Sequence, residues 1–279
     1  MHVALLYVDA GKGHYTPAKA LSDALIRLGH TTVVSDAFEV CEAPIINWMS
    51  KNNWRLMLHF PKLEAMINPK YDTKLNAQIM RYVATHSHGP RDFLSWYEHH
   101  RPDCIIVTNF IAANVIQPIV EHLSLKVPVF EYAADVVFSP KVGISENLDR
   151  LYICTEIGRE IAIKDGQPEE TIRICPFPLK SELLLAPKIS KIEARRNLGL
   201  KDCFTVLLNL GGEGIGTAEF LEEVVRRKLP WQVVTVGNLS STTKLHYKKI
   251  RDKNPAFPLH TSGFIKNIDE YITDCDVQT

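Results

Sequence analysis

Apolar residues in this chain come in short β-branched runs separated by longer stretches with helical spacing. The runs fall at 2–8, 31–35, 104–109, 127–132, 150–154 and 171–175, with helical patterns at 17–28, 73–99, 112–123 and 156–164. In "RPDCIIVTNF" a proline-containing turn leads into a short buried strand. Alternation of such strands with helices predicts a parallel sheet carrying crossover helices on both faces.

The pattern breaks near 176–190, where "CPFPLKSELLLAPKIS" carries three prolines and reads as an interdomain link. A second series then begins: strand 203–209, a glycine-rich turn at 211–216, helix 217–228, strand 231–236, helix 240–252, a strand near 258–263 and a short helix at 266–273. A fourth strand is due at about Cys275. The reading divides the chain into a domain at 1–178, a linker at 179–190 and a partial domain at 191–279, and 279 residues are comfortable for two α/β domains. Neither solenoid repeats nor low-complexity tracts interrupt it.

Composition narrows the function classes. At 46% hydrophobic and 23% charged the chain is that of a soluble globular protein with a sizeable core. Lys+Arg and Asp+Glu both number 32, which argues against a broad nucleic-acid surface. Six cysteines (41, 104, 154, 175, 203 and 275) without a CxxC pair suit a reducing cytoplasm. The first residues run directly into a strand without a basic leader, so a signal peptide is not expected. Nor does any window approach 18 uninterrupted apolar residues.

The candidate chemistry starts at "VDAGKGHYTP" (8–17), where the first strand turns into the first helix. Gly11 and Gly13 allow a sharp turn and close approach to a ligand, and the following helix N-terminus favours an anionic or polar group. Pro17 suits the first turn of that helix. A Walker loop is excluded, because Lys12 precedes Gly13 and not Ser or Thr. A dinucleotide fingerprint fits partly: Gly11-x-Gly13 follows the strand and Asp36 ends the next one, but Thr16 and Pro17 occupy the place of the third glycine. His14 reads either as a general base oriented by Asp9 or as a loop histidine making a cap-like hydrogen bond.

"LLNLGGEGIGTAEFLEEV" repeats the strand–glycine loop–helix arrangement in the second half. Taken with it, "DAGKGH" (9–14) is similar to the Asp-Thr-Gly-Gly-Gly-His loop of monogalactosyldiacylglycerol synthases and processive diacylglycerol glucosyltransferases, and "GGEGIG" (211–216) to their second glycine loop. "EARRNLGL" (193–200) resembles their interdomain helix, "VVTVGN" (233–238) their strand ending in Gly-x-Asn, and "SGFIKNIDEYITDCD" (262–276) the segment ahead of their main donor motif. The likeness reaches the clan that includes the N-acetylglucosaminyltransferase of peptidoglycan lipid synthesis.

This resemblance implies the GT-B fold, two Rossmann-like domains facing across a cleft. It also implies inverting, metal-independent transfer of a hexose from a UDP-sugar to a lipid acceptor such as diacylglycerol, with no cofactor beyond the donor. His14 is then the candidate base with Asp9 beside it, and Gly11, Lys12, Gly13, Asp135, Trp48 and Trp54 are acceptor-side residues. Gly212, Glu213, Gly214 and Gly216 border the diphosphate or acceptor hydroxyl, Gly237 and Asn238 lie near the nucleotide, and Gly263, Phe264 and Ile265 face the uracil. The implied location is cytoplasmic, peripheral on the inner face of the cell membrane. The alternatives are a GT-B enzyme for a soluble acceptor, a sugar-nucleotide epimerase, or a catalytically silent binding protein of this fold.

Departures from the family pattern bear mainly on the acceptor. Lys12 replaces a glycine, the His and Trp expected soon after Asp135 are missing, and "CPFP" replaces a Gly-x-Pro element. The family's glycine-rich segment and ribose-holding glutamate would lie beyond Cys275, so the second domain is expected to be incomplete in this chain. At 44–68, Trp48, Trp54, Met49, Met57 and Phe60 mix with Lys51, Arg55 and Lys62, and Leu56, Phe60, Leu63 and Ile67 share a helical face. That suits either an interfacial membrane helix or a helix packed on the core. His86, His88, His99 and His100 lack a carboxylate or cysteine spaced to complete a zinc site, and "HYKKIRDK" (246–253) reads as a solvated basic face.

Overall fold

The computed structural model describes the chain except residues 10–11, 42–46, 49–51, 53–59, 61–65, 67–69, 136, 138–139, 146, 186–187, 210–215, 238 and 279. It divides into two compact units, Met1–Leu184 and Leu185–Thr279, and the division falls within the stretch 176–190 that carries three prolines.

The first unit runs β1 (His2–Tyr7), α1 (Lys12–Arg27), β2 (Thr31–Asp36), α2 (Ala37–Val40), α3 (Lys74–His86), α4 (Gly89–His100), β3 (Cys104–Val107), α5 (Phe110–His122), β4 (Val129–Tyr132), β5 (Arg150–Ile153), α6 (Glu156–Asp165) and β6 (Ile172–Ile174), with α7 (Ser181–Leu185) at the link. Its strands pair in parallel in the order β2-β1-β3-β4-β5-β6. Both faces are covered, as continuous apolar strands require. Ala4, Leu6, Ile105, Val107 and Val129 pack with Ile116 and Ile119 of α5, while Val3, Leu5 and Cys104 pack with Ala18 of α1.

Two helices differ from the pattern-based expectation. The helical stretch at 73–99 is two helices, because Gly89-Pro90 opens a new first turn in which the Ser87 hydroxyl accepts from the Gly89 N–H at 3.1 Å. The first helix starts at Lys12, five residues earlier than expected, so Pro17 lies inside it rather than in its first turn. Pro17 therefore cannot give the helical bond to the Gly13 carbonyl, and His14 stands in the helix's first turn.

The second unit runs α8 (Lys191–Leu198), β7 (Thr205–Leu208), α9 (Thr217–Arg226), β8 (Gln232–Thr235), α10 (Ser241–Lys253), β9 (Leu259–Thr261), α11 (Ile268–Asp274) and β10 (Val277–Gln278). Its parallel sheet has the order β10-β7-β8-β9, so the fourth strand does begin just after Cys275 and pairs with the first. Arg195 of α8 holds that edge: its Nε donates to Asp274 Oδ1 at 2.9 Å and its Nη2 to the Cys203 carbonyl at 2.9 Å. Asp276 in turn accepts from the Thr205 N–H at 2.8 Å and pairs with Lys191.

In each sheet the order of strands reverses once, between β1 and β3 in the first and between β7 and β10 in the second. Open α/β sheets leave a crevice at such points, outside the carboxyl ends of the strands.

Candidate functional site

The reversal in the first sheet brings two distant chain segments together. Leu6 lies opposite Val107, and the Thr108 N–H continues the ladder to the Leu6 carbonyl at 2.9 Å. The residues leaving β3 therefore sit beside the first turn of α1. Thr108 Oγ1 donates to the His14 carbonyl at 2.9 Å, and His14 Nδ1 lies 2.9 Å from the Thr108 carbonyl oxygen. A carbonyl can only accept, so Nδ1 carries the proton.

Asn109 completes the assignment. It is the N-cap of α5, its Oδ1 accepting from the Ile111 N–H at 2.8 Å and the Ala112 N–H at 3.4 Å. With Oδ1 committed to the helix, the other end of the amide is Nδ2, which stands 3.0 Å from His14 Nε2. Nε2 is thus the acceptor nitrogen of a neutral imidazole. The half-buried ring is held at both nitrogens by residues 94 and 95 positions away.

Burial raises the Asp135 carboxyl, and His14, when protonated, lowers it, so the two are within electrostatic reach. Four residues earlier, Glu131 of β4 is buried at 3% exposure, and desolvation with the nearby Asp135 charge pushes it up to about 8. Its Oε2 has no hydrogen-bond partner among the described residues. Asp9 is exposed at the exit of β1, and its N–H donates to Asp36 Oδ2 at 2.9 Å. Asp36, buried, also caps α2 through the Phe38 and Glu39 N–H groups. A carboxylate so fully engaged by its own backbone does not suit the ribose contact of a dinucleotide fold. Gly13 is exposed, and beyond its chain neighbours and its own helix's backbone a Cβ there would meet no atom of the described residues within 4 Å.

In the second unit Gly216 begins α9 with φ +85°, and Gly237 follows β8 with φ +115°, conformations that favour glycine. The Gly237 N–H donates to the Gly263 carbonyl at 3.1 Å, which joins two of the expected donor-side segments. Ile265 packs under this edge against Leu207, Val234 and Val236, whereas Phe264 is exposed. Trp48 is exposed as well. Gly11, Trp54, Gly212, Glu213, Gly214 and Asn238, with most of 44–68 and the Lys12 side chain, lie outside the described residues. Among the described residues no group of His, Cys, Asp and Glu is arranged to hold a metal, and no helix is long and apolar enough to cross a membrane.

Sequence reading missed Thr108, Asn109 and Glu131. An Asn directly after an apolar strand and before a helical run is a legible cap signal, so "VTNF" marks a capped helix at the sheet edge. Nothing local shows that the same amide reaches His14.

No protein-family model matches the chain. The chain is 24% identical over 283 residues to the processive diacylglycerol beta-glucosyltransferase of Bacillus subtilis, covering 98% of this chain and 71% of that one. Its fold matches the UDP complex of Anabaena Alr3699/HepE at a TM-score of 0.57 and 12% identity, over 100% of this chain and 73% of the other. MurG of Acinetobacter baumannii matches at 0.55 and 10% identity, over 99% and 72%. The chain has the GT-B glycosyltransferase fold. The resemblance to processive diacylglycerol glucosyltransferases first carried by the two glycine loops thus extends along nearly the whole sequence. Within this GT-B chain, His14 stands where the first sheet reverses its strand order.

Proposed function

We propose that this chain carries out inverting transfer of a hexose from a UDP-sugar to the hydroxyl of a lipid acceptor such as diacylglycerol. The observation that carries the reading is the state of His14: Nδ1–H is fixed on the Thr108 carbonyl, leaving Nε2 as the basic nitrogen. In the proposed step the acceptor hydroxyl replaces the Asn109 amide at Nε2. Its oxygen attacks the anomeric carbon, the bond to UDP breaks with the electron pair leaving on the diphosphate, and the proton passes to Nε2. Asp135, within electrostatic reach, stabilises the imidazolium that forms.

The acceptor would approach over exposed Gly13, the chain neighbour of His14 in the first turn of α1. The second unit supplies the donor loops, Gly216 at the start of α9 and the linked Gly237 and Gly263. A helix N-terminus offers free N–H groups suited to a diphosphate. Support for UDP comes from the Anabaena fold relative, solved with UDP, and support for diacylglycerol from the Bacillus subtilis relative's name.

The test is incubation with UDP-glucose or UDP-galactose and diacylglycerol, with lipid products read by mass spectrometry. His14→Ala should lower turnover by about 10²–10⁴-fold and leave UDP affinity unchanged. Equal loss of UDP binding would show that His14 shapes the site and moves no proton.

A further inference from the structure

The carboxyl ends of β5 and β6 carry a pair of cysteines. Leu151 lies opposite Ile172 and Ile153 opposite Ile174, and the Cys175 N–H continues the ladder to the Ile153 carbonyl at 2.9 Å. The next matched pair along these parallel strands is Cys154 and Cys175, with side chains toward one face of the sheet. Adjacent strands lie about 4.8 Å apart, inside the roughly 4.4–6.8 Å Cα separation that a disulfide spans. Both residues are half-buried and both thiols are free. Tyr132 of β4 reaches the same spot: its hydroxyl donates to the Pro176 carbonyl at 2.7 Å, and its oxygen lies 3.3 Å from Cys154 Sγ. Burial raises the Cys175 thiol and the neighbouring Cys154 adds to the rise, so the two sulfurs are within electrostatic reach.

The other four cysteines have no such match. Cys41 and Cys104 pack on opposite faces of the first sheet, and burial pushes the Cys41 thiol up to about 12. In the second unit the Val206–Val277 register places Asp274, not Cys275, opposite Cys203. The strand β6 also gives the pair something to hold. It has three residues, lies at the edge of the sheet and exposes Arg173 and Ile174, so it belongs to the part of the fold that opens first. We propose that Cys154 and Cys175 are a modification site, closing under oxidising conditions into a reversible disulfide that fastens β6 to β5 just ahead of the link. The oxidant is a small disulfide such as glutathione disulfide. A thiolate of the pair attacks one sulfur of the reagent and expels a glutathione thiolate. The second protein thiol, once deprotonated, attacks the modified protein sulfur and expels the other glutathione. The protein thereby loses two electrons and two protons, and the reagent becomes two thiols. This goes beyond the transferase reading and does not depend on it.

The experiment is incubation of the reduced full chain with glutathione disulfide at mildly alkaline pH, followed by tryptic peptide mapping without reductant. A peptide pair joined through Cys154 and Cys175 is expected, and a dithiol reductant should separate it. The oxidised chain should melt roughly 5–10 °C above the reduced one and exchange the amide hydrogens of β6 more slowly. Cys154→Ser and Cys175→Ser should each abolish the link and the rise in melting, leaving a glutathione adduct on the remaining thiol of the pair. Cys203→Ser should form the link as the parent does. Circular dichroism establishes that each variant is folded. A folded chain whose Cys154 and Cys175 end as separate glutathione adducts, or stay reduced, overturns the proposal. So does a link that forms only in urea, or one that joins either residue to another cysteine. A Cys154–Cys175 link that changes neither the melt nor the exchange of β6 overturns the fastening of that strand.

Discussion

Asn109 Nδ2 stands 3.0 Å from His14 Nε2 because Asn109 Oδ1 is already spent on the first N–H groups of α5. A helix cap on one segment thereby decides which nitrogen of a histidine 95 residues away is basic.

Asn109→Asp tests that coupling. Aspartate caps as well as asparagine does, so α5 should form normally. Its second oxygen, however, can only accept, which favours a proton on Nε2. Transfer near neutral pH should fall by about 10-fold or more and recover as pH rises, with the acid limb of the pH–rate profile displaced upward. A uniform drop at every pH would mean that the amide serves only the helix.

Glu131 predicts a pH-dependent stability. Its folded pKa is about 8 against an ordinary 4.5, so the native protein holds a proton that the unfolded chain releases between those values. Stability from this group is therefore full below pH 4.5 and declines as pH rises toward 8. Glu131→Gln removes the decline and should stabilise the protein at pH 7 by on the order of 1–3 kcal/mol, with no advantage near pH 4. Urea melts at the two pH values read the difference.

Gly13→Ala separates folding from function. Because the added Cβ meets no described atom beyond its chain neighbours and its own helix's backbone, the variant should fold at least as well, gaining up to about 1 kcal/mol from helix propensity. If the acceptor approaches over Gly13, kcat/KM falls while the melt is unchanged or improved. Wild-type turnover would show that the surface at Gly13 goes unused.

Arg195→Met should unfasten the edge of the second sheet. It strands Asp274, which is 1% exposed, and costs about 3–5 kcal/mol, because breaking one partner of a buried pair leaves an uncompensated charge. Hydrogen exchange should rise first in β7 and β10, where Thr205 and Asp276 are joined. Adding Asp274→Asn should return part of the loss.

The alternation of apolar runs and helical stretches, read residue by residue, already determined two series of parallel strands and a fourth strand due after Cys275, because burial on both faces writes itself into local periodicity. His14 was legible as a polar residue where a strand gives way to a helix. Only the tertiary structure decided what His14 touches, that α1 begins at Lys12 with Pro17 inside it, that 73–99 breaks at Gly89-Pro90, and that Leu75, Ile79, Tyr82 and Val83 of α3 face outward. Those outcomes depend on which strand lies beside β1 and which side of α3 meets α5. Such pairings join residues far apart in the chain, where local periodicity carries no information.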